Sequence, residues 1–188
     1  NSLINITTSK VNYFDKKILV PFGEFLPFRD SLTFLESIAG PHNFSNGSEE
    51  RIINLSKNIS FIPVICYEIA FYWKLLNKLN NKINFIINIT NDFWFGKYVG
   101  PYQHLYLTKI RAAEFNKPII RVSNNGISAV IDNKGSIIKN TELNNTVKFK
   151  HKLFLQDNIN FVNEHLILKI YFFIIFLLIT FYYLKKNV

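Results

Sequence analysis

FIPVICYE, residues 61–68, decides how the rest of the chain is read. An apolar, partly β-branched run carries the only cysteine of the 188 residues to a point where the pattern changes to Tyr67, Glu68 and a helix-like segment. That predicts a buried strand ending in a thiol. Strand ends at the carboxyl edge of an α/β sheet are where such folds place chemistry, because the sheet fixes the backbone while the following turn leaves the side chain accessible. A second reading takes Cys66 as a small hydrophobe, since free cysteine is among the most buried residue types.

Working outward, Ile69 to Leu79 reads as a helix with Ile69, Trp73 and Leu76 on its apolar side. INFIINI, residues 83–89, is nearly continuous in apolar character, as expected of a strand covered on both faces. Thr90 to Gly100 reads as a loop rich in aromatics. Gly100-Pro101 then opens a helix, because Pro at the first helical position gives up a donor that would be orphaned anyway. Tyr106, Ile110 and Ala113 are predicted to share one face of it. Pro118–Ser123 and Ile127–Asp132 read as strands, the second turning through Asn133-Lys134-Gly135 into Ser136–Lys139. Before residue 61, Ser2–Thr7 and Ile18–Val20 read as short strands, and Pro21-Phe22-Gly23 ends the latter and sets Glu24 on a shaped loop. Residues 30–39 read as a short helix capped by Asp30 or Ser31, and Gly40–Glu50 as a loop. Strands separated by helices early and paired by a tight turn late predict an α/β layered domain with a mixed sheet. No internal repeat is present.

Composition bounds the function. The chain is 48% hydrophobic, with 19 Phe and 9 Tyr, which fits one domain with a sizeable core. One cysteine excludes an internal disulfide framework, and no Cys/His cluster suggests zinc. The net charge of +9 comes from scattered basic residues, mostly Lys among Asn, Ile and Phe. Neither a recognition motif nor an arginine stripe accompanies it, so nucleic acid is not the expected partner; a basic surface beside anionic lipid is the better use of the charge. The chain contains no methionine and begins at Asn1, so further sequence is expected before it.

The tail differs in kind. Leu166 to Leu184 is interrupted only by Lys169 and would span roughly 28 Å at about 1.5 Å per residue, close to the ~30 Å hydrocarbon core. It is therefore expected to form a transmembrane helix over residues 164–186, following a catalytic domain over residues 1–160. Tyr182, Tyr183, Lys185 and Lys186 would place its end in the cytoplasm by the positive-inside tendency, leaving the domain facing the periplasm.

Lys16, Glu24, Cys66 and Glu68 are the candidate catalytic group. A thiolate is the reactive form, so a base or cation beside Cys66 is needed to generate or hold it. A lysine nearby could bind the oxyanion formed when the thiolate attacks a carbonyl. Taken singly, each has a plainer reading: Lys16 as a solvated charge beside Lys17, and Glu24 and Glu68 as loop and helix-start carboxylates.

Four blocks, DKKILVPFGEFLPF, VICYE, NITNDFWFGKYVGPYQH and IRAAEFNKPIIRVSNNGISAVID, together resemble the carbon-nitrogen hydrolase (nitrilase-like) domain of the bacterial apolipoprotein N-acyltransferase family. The likeness covers most of residues 1 to 140. It implies an α-β-β-α sandwich, incomplete at its N-terminus, with no cofactor and no metal. By the resemblance, Cys66 is the nucleophile that takes an acyl chain from a phospholipid of the phosphatidylethanolamine type. Lys16 stabilises the tetrahedral intermediate, Glu24 and Glu68 are further carboxylates around the thiol, and Tyr67 and Trp94 meet substrate. The thioester then passes its acyl group to the amine of a diacylglyceryl cysteine on an apolipoprotein. The resemblance also implies an inner-membrane protein, multi-pass over its full length.

Two departures accompany the likeness. Ile18 stands where the family often has His. The family's general-base glutamate, in a motif of the type P-E-[ST], has no match here, so the 188 residues alone are expected to be inactive. Two other functions fit the same residues: an anchored amidase or nitrilase, and a catalytically dead scaffold that keeps the fold.

Overall fold

A computed structural model describes residues 1–6, 10–36, 40, 42–48, 51–71, 74–75, 83–153 and 164–186. Six strands form one mixed sheet in sequential order: β3 (Ile53–Asn54), β4 (Ser60–Ile65), β5 (Phe85–Asn91), β6 (Ile119–Asn124), β7 (Ala129–Ile131) and β8 (Ile137–Asn140). The central pairs are parallel, with Ile62 opposite Ile86 and Ile86 opposite Ile119, and the outer pairs are antiparallel. A separate antiparallel ribbon joins β1 (Ser2–Ile6) to β2 (Val11–Asp15). The long helix α1 spans Gly100–Phe115.

The period-2 alternation of the strands decides which layer each side chain enters. Ile62, Val64, Ile86 and Ile119 meet Leu105, Ala112 and Phe115 of α1 on one face. Phe61, Ile65 and Phe85 meet Leu3 and Phe14 of the ribbon on the other. The sheet is thus covered on both sides, which is why β4 and β5 read as continuous apolar runs. Each large aliphatic side chain buried here stabilises the layers by about 1.5–3 kcal/mol.

Several expectations are corrected. The segment 18–20 is not a strand; its place is taken by β2, which ends at Asp15. Two short 3-10 turns, Arg29–Ser31 and Thr33–Leu35, stand where a helix over 30–39 was expected, and residues 37–39 lie outside the described set. Of the helix expected over 69–79, a 3-10 turn over Cys66–Ala70 is described, and most of the remainder lies outside the described residues. In α1 the face shared by Tyr106, Ile110 and Ala113 is the exposed one, while His104, Leu105, Thr108, Arg111, Ala112 and Phe115 are buried.

The transmembrane helix is also overturned, and with it a membrane-spanning element in the fold. No helix among the described residues is long and apolar enough to cross a membrane. Helix α2 (Glu164–Lys186) forms, but Lys169 and the pair Lys185 and Lys186 confine its uninterrupted apolar part to Ile170–Leu184. That is roughly 22 Å at about 1.5 Å per residue, against a hydrocarbon core of ~30 Å. What stands is an α/β layered domain with a separate helix after it.

Candidate active site

Cys66 follows the last residue of β4, and its backbone turns into the left-handed region, with φ of 53°. A non-glycine residue held there costs of order 1–3 kcal/mol and needs its surroundings to hold it. The turn lifts the cysteine off the strand, half-buried, into a cavity of about 410 Å³. Lys16, Glu24, Tyr67, Trp94 and Phe95 line the same cavity. A second cavity of about 270 Å³ shares Glu24, Cys66, Asn91 and Trp94 with it. Four residues singled out from the sequence, Lys16, Glu24, Tyr67 and Trp94, therefore meet around Cys66.

Lys16 is almost fully buried, and its Nζ lies 2.6 Å from Glu24 Oε2. The same oxygen accepts from the Val20 amide at 2.9 Å, while Oε1 accepts from Asn1 Nδ2 at 2.6 Å. Glu24 thus fixes the ammonium and closes its own loop. Tyr67 is half-exposed, and its ring lies 6.1 Å from that of Phe95. Trp94 is 79% exposed and Phe93 71%, so the cavity opens beside an apolar rim that water covers at a cost.

Glu68 lies apart from the cavity lining and is wholly buried. Arg51 grips it with two nitrogens, at 3.0 Å to Oε2 and 2.8 Å to Oε1. Its carboxylate also accepts backbone amides from Lys17 at 2.9 Å, Ile18 at 3.0 Å and Ile65 at 2.8 Å. One carboxylate so ties the two residues after Lys16 to the residue preceding Cys66. Pairing and full hydrogen bonding are what make such a buried charge tolerable.

Behind the cysteine, on the helix side of the sheet, lies a second buried polar group that was not singled out from the sequence. Arg121 Nη2 donates to Asp92 Oδ2 at 2.6 Å, and Nη1 donates to Asn88 Oδ1 at 2.9 Å and to Thr108 Oγ1 at 3.2 Å. His104 Nδ1 lies 2.9 Å from Asp92 Oδ1, and its ring meets those of Tyr67 and Phe95 at 5.8 and 5.1 Å. Burial pushes the His104 imidazole below its ordinary value; the Asp92 hydrogen bond opposes this and the Arg121 charge reinforces it. The ring is therefore neutral at pH 7, with Nδ1–H donated to Asp92 and Nε2 left without a partner. Burial pushes the Asp92 carboxyl up, but the His104 hydrogen bond and the Arg121 charge outweigh it and hold it below the usual range. The signal for this group was present in the sequence: Asn88 and Arg121 are polar residues inside otherwise apolar strand runs.

Chemically, the cavity offers a nucleophilic side chain on a strained turn, a fixed cation and an apolar wall. Among the described residues, no group of three or more His, Cys, Asp or Glu side chains could hold a metal ion.

Comparison with known proteins gives this arrangement a family. The chain is 43% identical over 133 residues to the apolipoprotein N-acyltransferase of Allorhizobium ampelinum, covering 69% of this chain and 25% of that protein. It is 40% identical over 136 residues to the protein of the same name from Rickettsia prowazekii, covering 72% and 27%. The chain thus spans about a quarter of the length of the curated relatives it matches. Among solved structures, the glutamine-dependent NAD+ synthetase of Acinetobacter baumannii superposes with a TM-score of 0.57 at 17% identity, covering 82% of this chain and 27% of that one, a likeness of fold alone. The carbon-nitrogen hydrolase model matches residues 11–147, which take in β2, the six-stranded sheet, α1 and every residue of the larger Cys66 cavity except Asn1, and by that match the chain belongs to the carbon-nitrogen hydrolase family.

Proposed function

We propose that this domain is the catalytic part of an apolipoprotein N-acyltransferase, acting through a thioester on Cys66. The observation that carries the reading is the meeting of Cys66 with the Lys16–Glu24 pair in a cavity whose rim is exposed aromatic surface. The Cys66 thiolate attacks the ester carbonyl of a phospholipid of the phosphatidylethanolamine type, and the Lys16 ammonium stabilises the oxyanion that forms. The ester C–O bond breaks, the lysophospholipid alkoxide leaves and takes up the proton that the thiol had released, and the acyl group stays on sulfur. The amine of a diacylglyceryl cysteine at the start of an apolipoprotein then attacks the thioester, forming an amide and returning the thiol.

Glu24 holds the Lys16 ammonium in place, whereas Glu68 acts through the backbone next to Lys16 and Cys66. Tyr67 walls the cavity, and Trp94 meets the lipid. Two cavities sharing Cys66 suit two substrates that arrive in turn. An aromatic rim suits a donor drawn from a lipid surface, and in the matched family of names the setting is bacterial. By the same reading the domain works at the periplasmic face of the inner membrane. Within the described residues, Glu24 is the only carboxylate lining the larger cavity, and both its oxygens are engaged, so the isolated chain is expected to turn over negligibly at neutral pH.

The test is chemical. The chain is incubated with phosphatidylethanolamine vesicles at alkaline pH, where thiols ionise without help from a base, and the Cys66 peptide is weighed. A fatty-acyl adduct removed by neutral hydroxylamine is the expected result. An unmodified Cys66 in folded protein, with short amides hydrolysed instead, would replace this reading with that of an amidase.

A further inference from the structure

The turn at Cys66 is held from behind. Asn88, wholly buried on β5, donates from Nδ2 to the Val64 carbonyl at 3.1 Å and to the Cys66 carbonyl at 3.3 Å. Its own oxygen accepts from Arg121 Nη1 at 2.9 Å, which fixes the amide so that nitrogen, not oxygen, faces the cysteine. Arg121 is in turn fixed by Asp92 Oδ2, Thr108 Oγ1 and the Ile127 carbonyl. The chain of bonds runs Asp92 to Arg121 to Asn88 to the backbone of the one residue that both is strained and carries the thiol. None of Asn88, Arg121 and Asp92 lines either cavity at Cys66.

We infer that Asn88 and Arg121 are positioning residues for the Cys66 nucleophile: their buried relay clamps the Cys66 carbonyl and so keeps the thiol aimed at the acyl carbon. The physical warrant is that a left-handed non-glycine residue relaxes unless over-determined, and that small misplacements of a nucleophile cost rate steeply. A fully satisfied buried polar network is rigid enough to supply that constraint.

This inference rests on Cys66 being an acyl acceptor, and its test separates the two claims. Because Cys66 is the only cysteine, two reagents report on it once the hydroxylamine-labile acetyl and the carbamidomethyl on the Cys66 peptide are weighed separately from modification of lysines. p-Nitrophenyl acetate acylates the thiolate through a tetrahedral intermediate and needs the aimed geometry; iodoacetamide alkylates it by simple displacement. Both rates are measured at alkaline pH on the whole chain, for the unmutated protein and for Asn88→Asp. That variant keeps the volume and the Arg121 contact but cannot donate to the Cys66 carbonyl.

The expected result is a loss of about tenfold or more in acylation, with alkylation within about twofold of the unmutated chain. Equal acylation in a folded Asn88→Asp would overturn the relay while leaving Cys66 as nucleophile. Failure of the unmutated thiol to acylate while it alkylates normally would overturn the acyl-transfer reading and the relay with it. Should Asn88→Asp not fold, Thr108→Val removes one of the contacts that fix Arg121 without changing side-chain shape. There a fall of about two- to fivefold in acylation supports the relay, and an unchanged rate in the folded variant overturns it.

Discussion

Two buried arginine–carboxylate pairs flank the Cys66 turn, and they are built differently. Arg51–Glu68 spends its carboxylate on backbone: three amides from two separate segments converge on it. Arg121–Asp92 is held mostly by side chains, namely Asn88, Thr108 and His104. The first pair is a staple that decides where chain segments lie. The second decides how side chains and one carbonyl are oriented within a frame already set. Equal burial therefore does not mean equal function, and the two pairs should fail in different ways.

The largest effect is expected for Glu68→Ala. It strands the Arg51 charge and three amides, so stability should fall by about 3–5 kcal/mol, with a melting temperature lower by roughly 10 °C. A variant that melts within a degree or two of the parent would remove the staple from the account. Double replacement sharpens the contrast. Arg51→Met with Glu68→Leu still leaves the Lys17, Ile18 and Ile65 amides without acceptors, each costing about 1–3 kcal/mol, and should rescue little. Arg121→Met with Asp92→Leu should recover at least about half of the loss seen in Asp92→Leu alone, because no uncompensated charge remains. Equal rescue in both pairs, by calorimetry, would erase the distinction.

How much of this was legible in the sequence follows the same division. The β4 and β5 runs announced a covered sheet, and the lone cysteine at a change of pattern announced the turn. The Lys16–Glu24 pair and the aromatic loop at Trp94 came from the motif likeness, and they meet Cys66 in space. Which face of α1 is buried is not legible from local pattern, because that face carries His104, Thr108 and Arg111, polar residues that periodicity assigns to solvent. They are inside because Asp92, Arg121 and the Ile69 carbonyl satisfy them, a fact of tertiary pairing that no local pattern contains. Glu68 looked like a helix-start carboxylate; only the fold shows that Arg51 and Lys17 lie beside it. The tail reads as a span only when its length is counted across Lys169.

A smaller effect is expected at Gly126, where an added Cβ would collide with the Asp92 carboxylate and Ser123 Oγ. Gly126→Ala should cost about 1–3 kcal/mol by displacing Asp92, with the Arg51–Glu68 side undisturbed. Denaturant midpoints of Gly126→Ala in parent and Asp92→Ala backgrounds read this directly: the penalty should shrink in the latter, where the colliding carboxylate is gone.

The smallest effect is with pH. Burial lowers the His104 imidazole in the folded state, so the unfolded chain binds more protons below its ordinary value of 6.5. Stability should therefore fall as pH drops from about 6.5 toward the lower folded value, and His104→Gln should flatten that limb. Asp92 contributes in a separate window: its folded carboxyl lies below the ordinary 3.8, so its stabilisation is present above that value and lost as pH falls through the lower one. A limb unchanged by His104→Gln in thermal melts would place the acid sensitivity elsewhere.

The order of strands also has a kinetic consequence. β6, β7 and β8 are joined by short turns and pair antiparallel, whereas β4 must find β5 across about 24 residues, Phe61 to Phe85, and β5 must find β6 across about 33, Ile86 to Ile119, both in parallel register. Local closures are faster than distant ones, so the meander and α1 should nucleate folding, with β5 and β4 docking late. The backbone of Cys66 would then be bent into its left-handed turn among the last steps, after the sheet that receives it has formed. Folding rates should be insensitive to changes at Asn88, and unfolding rates should carry nearly all of their effect.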